Sequence, residues 1–480
     1  MLTDLRNDER GTRTACCARR QRGTSPPGPD AWRAPFSAAF AAVLVIVRAL
    51  PMAVTLLGVA NAQDRESYLG EPVHYEREST EQPVARLAAA LAAGTVTLAR
   101  DEIAGLLPAV LDALDVLPAS QTLVFSKTSF QNALIGPRTP RAIYFGDEVY
   151  VGAVPGSPVL ELTAMDPQLG PIFYTLTDRG EEPPRIVRRD AECLRCHALS
   201  WTKDWPGHLV RSVAVDADGH PIQRLGAKLT TGESPFEERW GGWYVSGTHG
   251  DALHRGNATH ADDADSAPPL AQAQNVVDLR GRIDAARYLS PHSDLVALMV
   301  LEHQTHAHNA LAWAAGRTKL VLHRDRALPQ STAAEAGAAA PELSDSARSQ
   351  LKAIADDLLA VLLLRDMPPL PAPVRGSSDF AGAYLAAGRR DRAGRSLREL
   401  ELHTRLFRWP VSPMIASPSF RHLPSELREI VLLRMLRILT GRNGRRAYSH
   451  IADEDRQPLL AMLVELVPDL PADWHAAVDR

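Results

Sequence analysis

Ala142-Ile143-Tyr144-Phe145-Gly146-Asp147-Glu148-Val149-Tyr150-Val151-Gly152 spells a strand, a tight turn and a second strand. Both arms are rich in β-branched and aromatic residues, and Gly-Asp supplies the reversal between them. A turn that short joins only antiparallel neighbours. Val159-Leu160-Glu161-Leu162 and Ile172-Phe173-Tyr174-Thr175-Leu176 extend the series, and Leu209–Val215 with its Asp218-Gly219 turn adds one more strand. Residues 120–250 therefore read as a mainly antiparallel sheet unit.

On either side the apolar period changes from two to three or four. Val84, Leu87, Leu91 and then Ile103, Leu106, Leu107, Val110, Leu111 and Leu114 predict two helices separated by Gly94-Thr95. They follow a polar, Glu-rich arm, so 63–119 is an arm with helices. Residues 251–282 are a polar connector. From 283 to 480 the chain reads as all-helical, with helices from about Leu295 and over 344–364, 390–408, 424–440 and 455–466, and an Ala-rich interruption at 331–341. The fold class is α+β: an antiparallel sheet unit flanked by an N-terminal helical segment and a C-terminal helical region.

Charge is uneven along the chain. Residues 1–62 carry eight Arg against four acids, a net of +4, while the whole chain has a formal charge of −4. The body is thus near −8, which disfavours a groove that neutralises phosphates and argues against nucleic-acid binding. Phe36–Val47, Arg48 and Ala49–Val59 lead to Ala60-Asn61-Ala62, small residues of the kind that signal peptidase accepts. Residues 1–62 read as a signal-peptide region, with translation starting near Val43 or Val45. Arg48 and Pro51 interrupt the apolar run, so no integral membrane segment is expected in the mature chain.

The sheet unit carries Cys193-Leu194-Arg195-Cys196-His197. Two thiols two residues apart can each add across a haem vinyl group, and the following imidazole can ligate the iron. Cys193, Cys196 and His197 are thus expected to hold one covalent haem c, with His197 as proximal iron ligand. Two other chemistries use paired cysteines. A redox dithiol needs a helix start after a parallel strand, and a structural zinc site needs further ligands nearby; neither pattern is present here. The other cysteines, Cys16 and Cys17, fall within the signal region, so the mature chain keeps no thiol outside the motif. Haem c is attached outside the cytoplasm, which agrees with export to the periplasm or beyond. Trp201, Trp205, Trp240 and Trp243 follow closely and suit an apolar haem wall, and Arg138, Arg141, Arg188, Arg189 and Arg211 are candidate propionate partners.

The sixth iron ligand separates carrier from enzyme. Ser293 or Asp294 would cap a buried helix whose one face carries Leu295, Met299, His303 and His306. His303 is the leading distal candidate; His249, His308 and Met299 are alternatives, with His208 and Met414 further afield. Glu302 and His306, or His303 and His306, have the spacing to chelate a second metal. Gly241-Gly242-Trp243-Tyr244-Val245-Ser246-Gly247-Thr248-His249-Gly250 implies close backbone approach, to a haem face or to a bulged strand.

Val124–Gln131, Pro140–Phe145, the Cys193–His197 motif, Arg239–Val245, Gly247–Gly250 and Ala297–Gln304 together resemble an uncharacterised family of exported bacterial single-haem cytochrome-c-domain proteins. The resemblance spans roughly 83–475. It implies haem binding at Cys193, Cys196 and His197, and electron transfer. The length and strand content depart from the small all-helical cytochrome c fold. The expected function is an exported c-type cytochrome passing single electrons to a redox partner protein or a small-molecule donor or acceptor. The alternatives are a peroxidase- or oxidase-like haem enzyme with an open distal site, using His249 or a residue of 303–308 as acid/base, and a haem-based redox or gas sensor.

Overall fold

The computed structural model describes residues 68–178, 180, 183–261, 270–327, 343–442 and 446–478. The signal region, Cys16, Cys17 and most of the Ala-rich segment lie outside the described residues. Within Asn61–Arg480, a single contact unit, α1 (Pro83–Ala92) and α2 (Leu107–Ala113) precede β1 (Thr122–Val124), β2 (Arg141–Phe145), β3 (Val149–Ala153), β4 (Val159–Asp166), β5 (Gly170–Thr177) and β6 (Arg185–Arg188). Then come α3 (Asp190–His197), β7 (Arg211–Val213), β8 (Ala227–Leu229), β9 (Trp243–Tyr244) and β10 (Gly247–Thr248). The rest is helical apart from β11 (Arg375–Gly376): α4 (Leu295–Ala327), α5 (Asp345–Leu362), α6 (Phe380–Ala386), α7 (Pro418–Arg421), α8 (Ser425–Leu439), α9 (Asp453–Leu466) and α10 (Ala472–Val478).

The main sheet has seven strands in the order β6-β5-β4-β3-β2-β1-β9, and its pairs are antiparallel. Register is set by the pleat. Tyr144, Val151, Leu162 and Tyr174 align across β2–β5 and bury one face, against Val84, Leu87, Leu107, Val110 and Leu111 of α1 and α2. The neighbouring row, Ile143, Gly152, Glu161 and Thr175, points the other way and lines a cavity. One sheet thus separates a dry core from a polar pocket.

Helix α4 joins this sheet to the helical region. The Asp294 carboxylate caps it by accepting from the Val296 and Ala297 amides at 2.8 and 3.1 Å. Its first residues, Leu295–Gln304, are all buried. Its later turns, from Ala307 onward, pack into a second core with Leu351, Ile354, Leu358 of α5, Val431 and Met435 of α8, and Leu459 and Leu463 of α9.

Three features differ from the sequence expectation. Strands β1 and β6 are short and were not expected, and β9, in the glycine-rich run whose reading included a bulged strand, pairs with β1 through Tyr244 and Trp243. Helix α2 starts only at Leu107, leaving Ile103 70% exposed. Residues 390–408 are not a helix but successive turns. Carboxylates there accept the backbone N–H groups that a helix would have used: Asp391 takes Arg395 N, Glu399 takes Ser396 N, and Glu401 takes the amides of His403, Thr404 and Arg405.

Candidate functional site

Helix α3 follows directly on the edge strand β6, and it carries the whole Cys193–His197 motif. Its acidic residues Asp190 and Glu192 lie in the first turn, and Arg195 and His197 in the last, as the helix dipole favours. Arg188 anchors the junction. It pairs with Asp190 at 2.7 Å and donates to the backbone carbonyls of Arg77 and Tyr75. Cys193, Cys196 and His197 thereby come together on a cavity of about 710 Å³. That volume lies within the roughly 300–1,000 Å³ of small-molecule and cofactor sites.

The floor of the cavity is the exposed pleat of the sheet: Arg141, Ile143, Tyr150, Gly152, Glu161, Thr163, Phe173 and Thr175. Lys127, Arg189, Arg211 and Trp243 complete the wall, and Phe130, 73% exposed, stands at the rim. A Cβ at Gly152 would collide with the Arg141 guanidinium, so glycine is what lets Arg141 lie flat across the strand. Arg141 reaches Glu161 at 2.5 Å.

The His197 imidazole has a defined tautomer. Its Nδ1 lies 2.9 Å from the Gly207 carbonyl oxygen, which can only accept, so Nδ1 carries the proton and Nε2 keeps its lone pair. Burial pulls its pKa down to about 4, partly offset by that hydrogen bond, so the ring is neutral at ordinary pH. A neutral imidazole with Nδ1 tied to a carbonyl and Nε2 free is a prepared metal ligand. Burial, reinforced by Glu161 and Glu192, pushes the Cys193 thiol up to about 12. A thiol held neutral is a poor exchange nucleophile, and the motif helix follows an antiparallel strand; both facts weigh against a redox dithiol.

The Arg211 guanidinium is the other telling group. Burial lowers its pKa, its hydrogen bond runs to the Thr128 carbonyl at 3.2 Å, and among the described residues no carboxylate pairs with it. A desolvated cation without a counter-ion is costly unless an anion arrives. Of the five arginines considered from sequence, Arg141, Arg189 and Arg211 line the cavity. Arg138 pairs with Asp284, and Arg188 anchors the helix.

The residues proposed for the far side of the iron are not brought here. The His303 Nε2 is 2.7 Å from Ser412 Oγ and its ring packs against Phe407. Met299 is buried in an apolar cluster with Trp240 and Trp243, and Met414 in the helical core. His249 lies beside Phe236 and His254, with Nε2 accepting from the Asn275 amide. His308 is fully buried and bonded to Tyr150. His208 lies tilted against Tyr150, with ring centroids 4.3 Å apart. Among the described residues that line the cavity, His197 is the one histidine, and there is no methionine. Nor do Glu302 and His306 converge on a metal: Glu302 is held by Arg239 and Trp240, and among the described residues no group of three His, Cys, Asp or Glu side chains could hold an ion.

Of the four tryptophans only Trp243 faces the cavity; its indole N–H donates to the Arg211 carbonyl at 2.8 Å. The glycine-rich run serves backbone packing. A Cβ at Gly241 would meet the Val213 carbonyl at 2.8 Å, and Gly242, with φ of +78°, fits against Ser126. Sequence reading missed Tyr150, Glu161 and Lys127 as lining residues, although the period-two row through Ile143 and Gly152 would have placed Glu161. No family model, curated protein or solved structure matches the chain.

Proposed function

We propose that the cavity holds one covalent haem c, thioether-linked through Cys193 and Cys196, with His197 as proximal ligand, and that the protein is a one-electron redox protein whose second haem face is open to a small molecule. The observation that carries the reading is the cavity itself: both thiols, a neutral imidazole with a free Nε2, and an uncompensated Arg211 share one space of about 710 Å³. Haem supplies an iron that cycles between ferrous and ferric states.

The chain's own residues do the rest. Gly207 orients His197 and fixes its tautomer. Arg211, with Arg189, offers charge to the propionates, and Phe173 and Trp243 wall off water. Among the described residues the lining offers no second histidine or methionine, which favours an open site over a six-coordinate carrier. An iron open on one side suits peroxidase-like, oxidase-like or ligand-sensing chemistry better than simple electron carriage. Attachment of haem c outside the cytoplasm supports an exported mature protein that meets a redox partner or a small-molecule donor or acceptor. Among the described residues no helix is long and apolar enough to cross a membrane. The test is a haem-stained denaturing gel of protein exported from cells that mature haem c. The wild type should stain and Cys193→Ser/Cys196→Ser should be blank; an unstained wild type refutes the proposal.

A further inference from the structure

Tyr150 projects from β3 onto the cavity floor, aligned with Thr163 and Phe173 across the sheet. Its ring is 5% exposed. Its hydroxyl lies between two residues of α4 that are four apart and so share a helix face. Gln304 Nε2 donates to it at 3.1 Å, and His308 Nδ1 stands 2.8 Å away. With the phenol already accepting from Gln304, its own proton points at His308 Nδ1, which must be the acceptor nitrogen. The His308 proton is then on Nε2, which has no hydrogen-bond partner and faces Glu148 Oε1 at 3.8 Å. That Glu148 oxygen is also buried without a partner. Glu148 and Gln304 line a separate cavity of about 740 Å³ on the far side. A phenol, an imidazole and a carboxylate therefore run in series from one cavity to the other.

From this geometry we infer that Tyr150 is a redox-active tyrosine that gives up one electron to chemistry in the Cys193–His197 cavity while its proton passes to His308. The inference rests on the haem reading above, and the co-reactant is hydrogen peroxide. Reducing one peroxide to two waters takes two electrons and two protons. Tyr150 supplies one electron and ferrous haem the other, leaving ferric iron; both protons come from solvent. The O–H bond of Tyr150 breaks, its proton forms an N–H bond at His308 Nδ1, and a neutral phenoxyl radical remains beside an imidazolium whose second N–H faces Glu148. The distance suits proton transfer without rearrangement.

The surroundings agree. Burial holds the Tyr150 pKa well above that of an ordinary phenol, with Glu148 and Asp147 adding to the effect and the Gln304 hydrogen bond opposing it. The phenol therefore keeps its proton until it is oxidised, and His308 Nδ1, 2.8 Å away, is placed to receive it. The titratable and charged groups around the pair are Glu148 and Asp147 at the start of β3, the latter bound by Arg398, and His208 from the loop after α3. Phe173 leads from the tilted Tyr150–His208 pair to His197, at centroid spacings of 6.3 Å to His208 and 4.6 Å to His197. That gives an aromatic bridge between the phenol and the proposed iron ligand.

The experiment is freeze-quench electron paramagnetic resonance of the purified haem-loaded protein, reduced, freed of reductant and mixed with one equivalent of hydrogen peroxide. The expected result is an organic radical whose spectrum narrows when the cells are grown on ring-deuterated tyrosine. Its yield per haem should fall at least tenfold in Tyr150→Phe. It should fall likewise in His308→Gln, which can keep the hydrogen bond but cannot take the proton. Haem content and the ferrous absorbance spectrum of each variant show that the site itself is intact. A haem-loaded wild type without the radical, or a radical undiminished in either variant, overturns the inference and leaves the haem reading standing. Protein without covalent haem overturns both.

Discussion

Among the described residues, the buried polar cluster on α4 is complete, and the half-buried one on the cavity face of the sheet is not. On α4, Glu302 is 0% exposed but accepts from Arg239 Nη1 at 2.9 Å and from the Trp240 indole, while Arg239 also donates to the Gly232 and Ser234 carbonyls. The next residue, His303, is closed by Ser412 and Phe407. On the cavity face of the sheet the accounts do not balance: Arg211 has no counter-ion among the described residues, and His197 keeps one nitrogen free. Buried polar groups that have found their partners hold a fold together. At the cavity, the groups still lacking a partner are the ones that the proposed haem would engage.

The sharpest way to break this contrast is to remove one partner from the complete site. Glu302→Ala leaves Arg239 charged and buried, which should cost about 3–5 kcal/mol in denaturant unfolding. A loss under about 1 kcal/mol would mean that the pair is not what the geometry shows. His303→Ala removes a buried ring and strands Ser412, for about 2–4 kcal/mol. It should leave the haem absorbance unchanged, whereas a change of spin state would restore His303 as an iron ligand.

Acid should act on the same buried groups. Burial holds His254 and His303 down to about 3, and His208 well below its ordinary value, so all three stay neutral in the folded protein. The unfolded chain protonates them near pH 6.5, so each contributes stability above that pH and loses it as the pH falls, at about 1.4 kcal/mol per unit. Glu302 works the other way. Burial raises it to about 7, so its contribution is complete below about 4.5 and is lost as pH rises through 7. These histidines, joined by His306 and in the haem-free chain by His197, both held near 4 by burial, outweigh one carboxyl, so the haem-free chain loses several kcal/mol between pH 7.5 and 5.5. Chemical denaturation at the two values would decide it, and equal or greater stability at pH 5.5 would contradict it. The smallest effect belongs to the incomplete site. Arg211→Met should change the stability of the haem-free chain by less than about 1 kcal/mol, in either direction, because no ion pair is lost. A loss of several kcal/mol would show that Arg211 is structural after all.

The contrast also explains what could be read from the sequence. Strand, turn and strand at 142–152 were legible because period and turn chemistry are local, and the Cys193–His197 spacing carries its chemistry in adjacent residues. The partners that neutralise the α4 histidines are remote: Ser412 is 109 residues from His303. No local pattern distinguishes a histidine with such a partner from a free one, so a face carrying Met299, His303 and His306 looked like a ligand source. The loop at 390–408 misled for a related reason, since carboxylates at Asp391, Glu399 and Glu401 turn helix-like text into turns. Tyr150 was visible only as a strand residue, because the hydroxyl that matters meets His308, 158 residues away.

The central claim is that the incomplete site takes haem and gives its iron one protein ligand. Absorbance of the purified ferrous protein before and after carbon monoxide tests it most directly. Haem iron with His197 as its one protein ligand should give a c-type spectrum that shifts on adding the gas. A protein without haem, or a low-spin spectrum that carbon monoxide leaves unmoved, would contradict it.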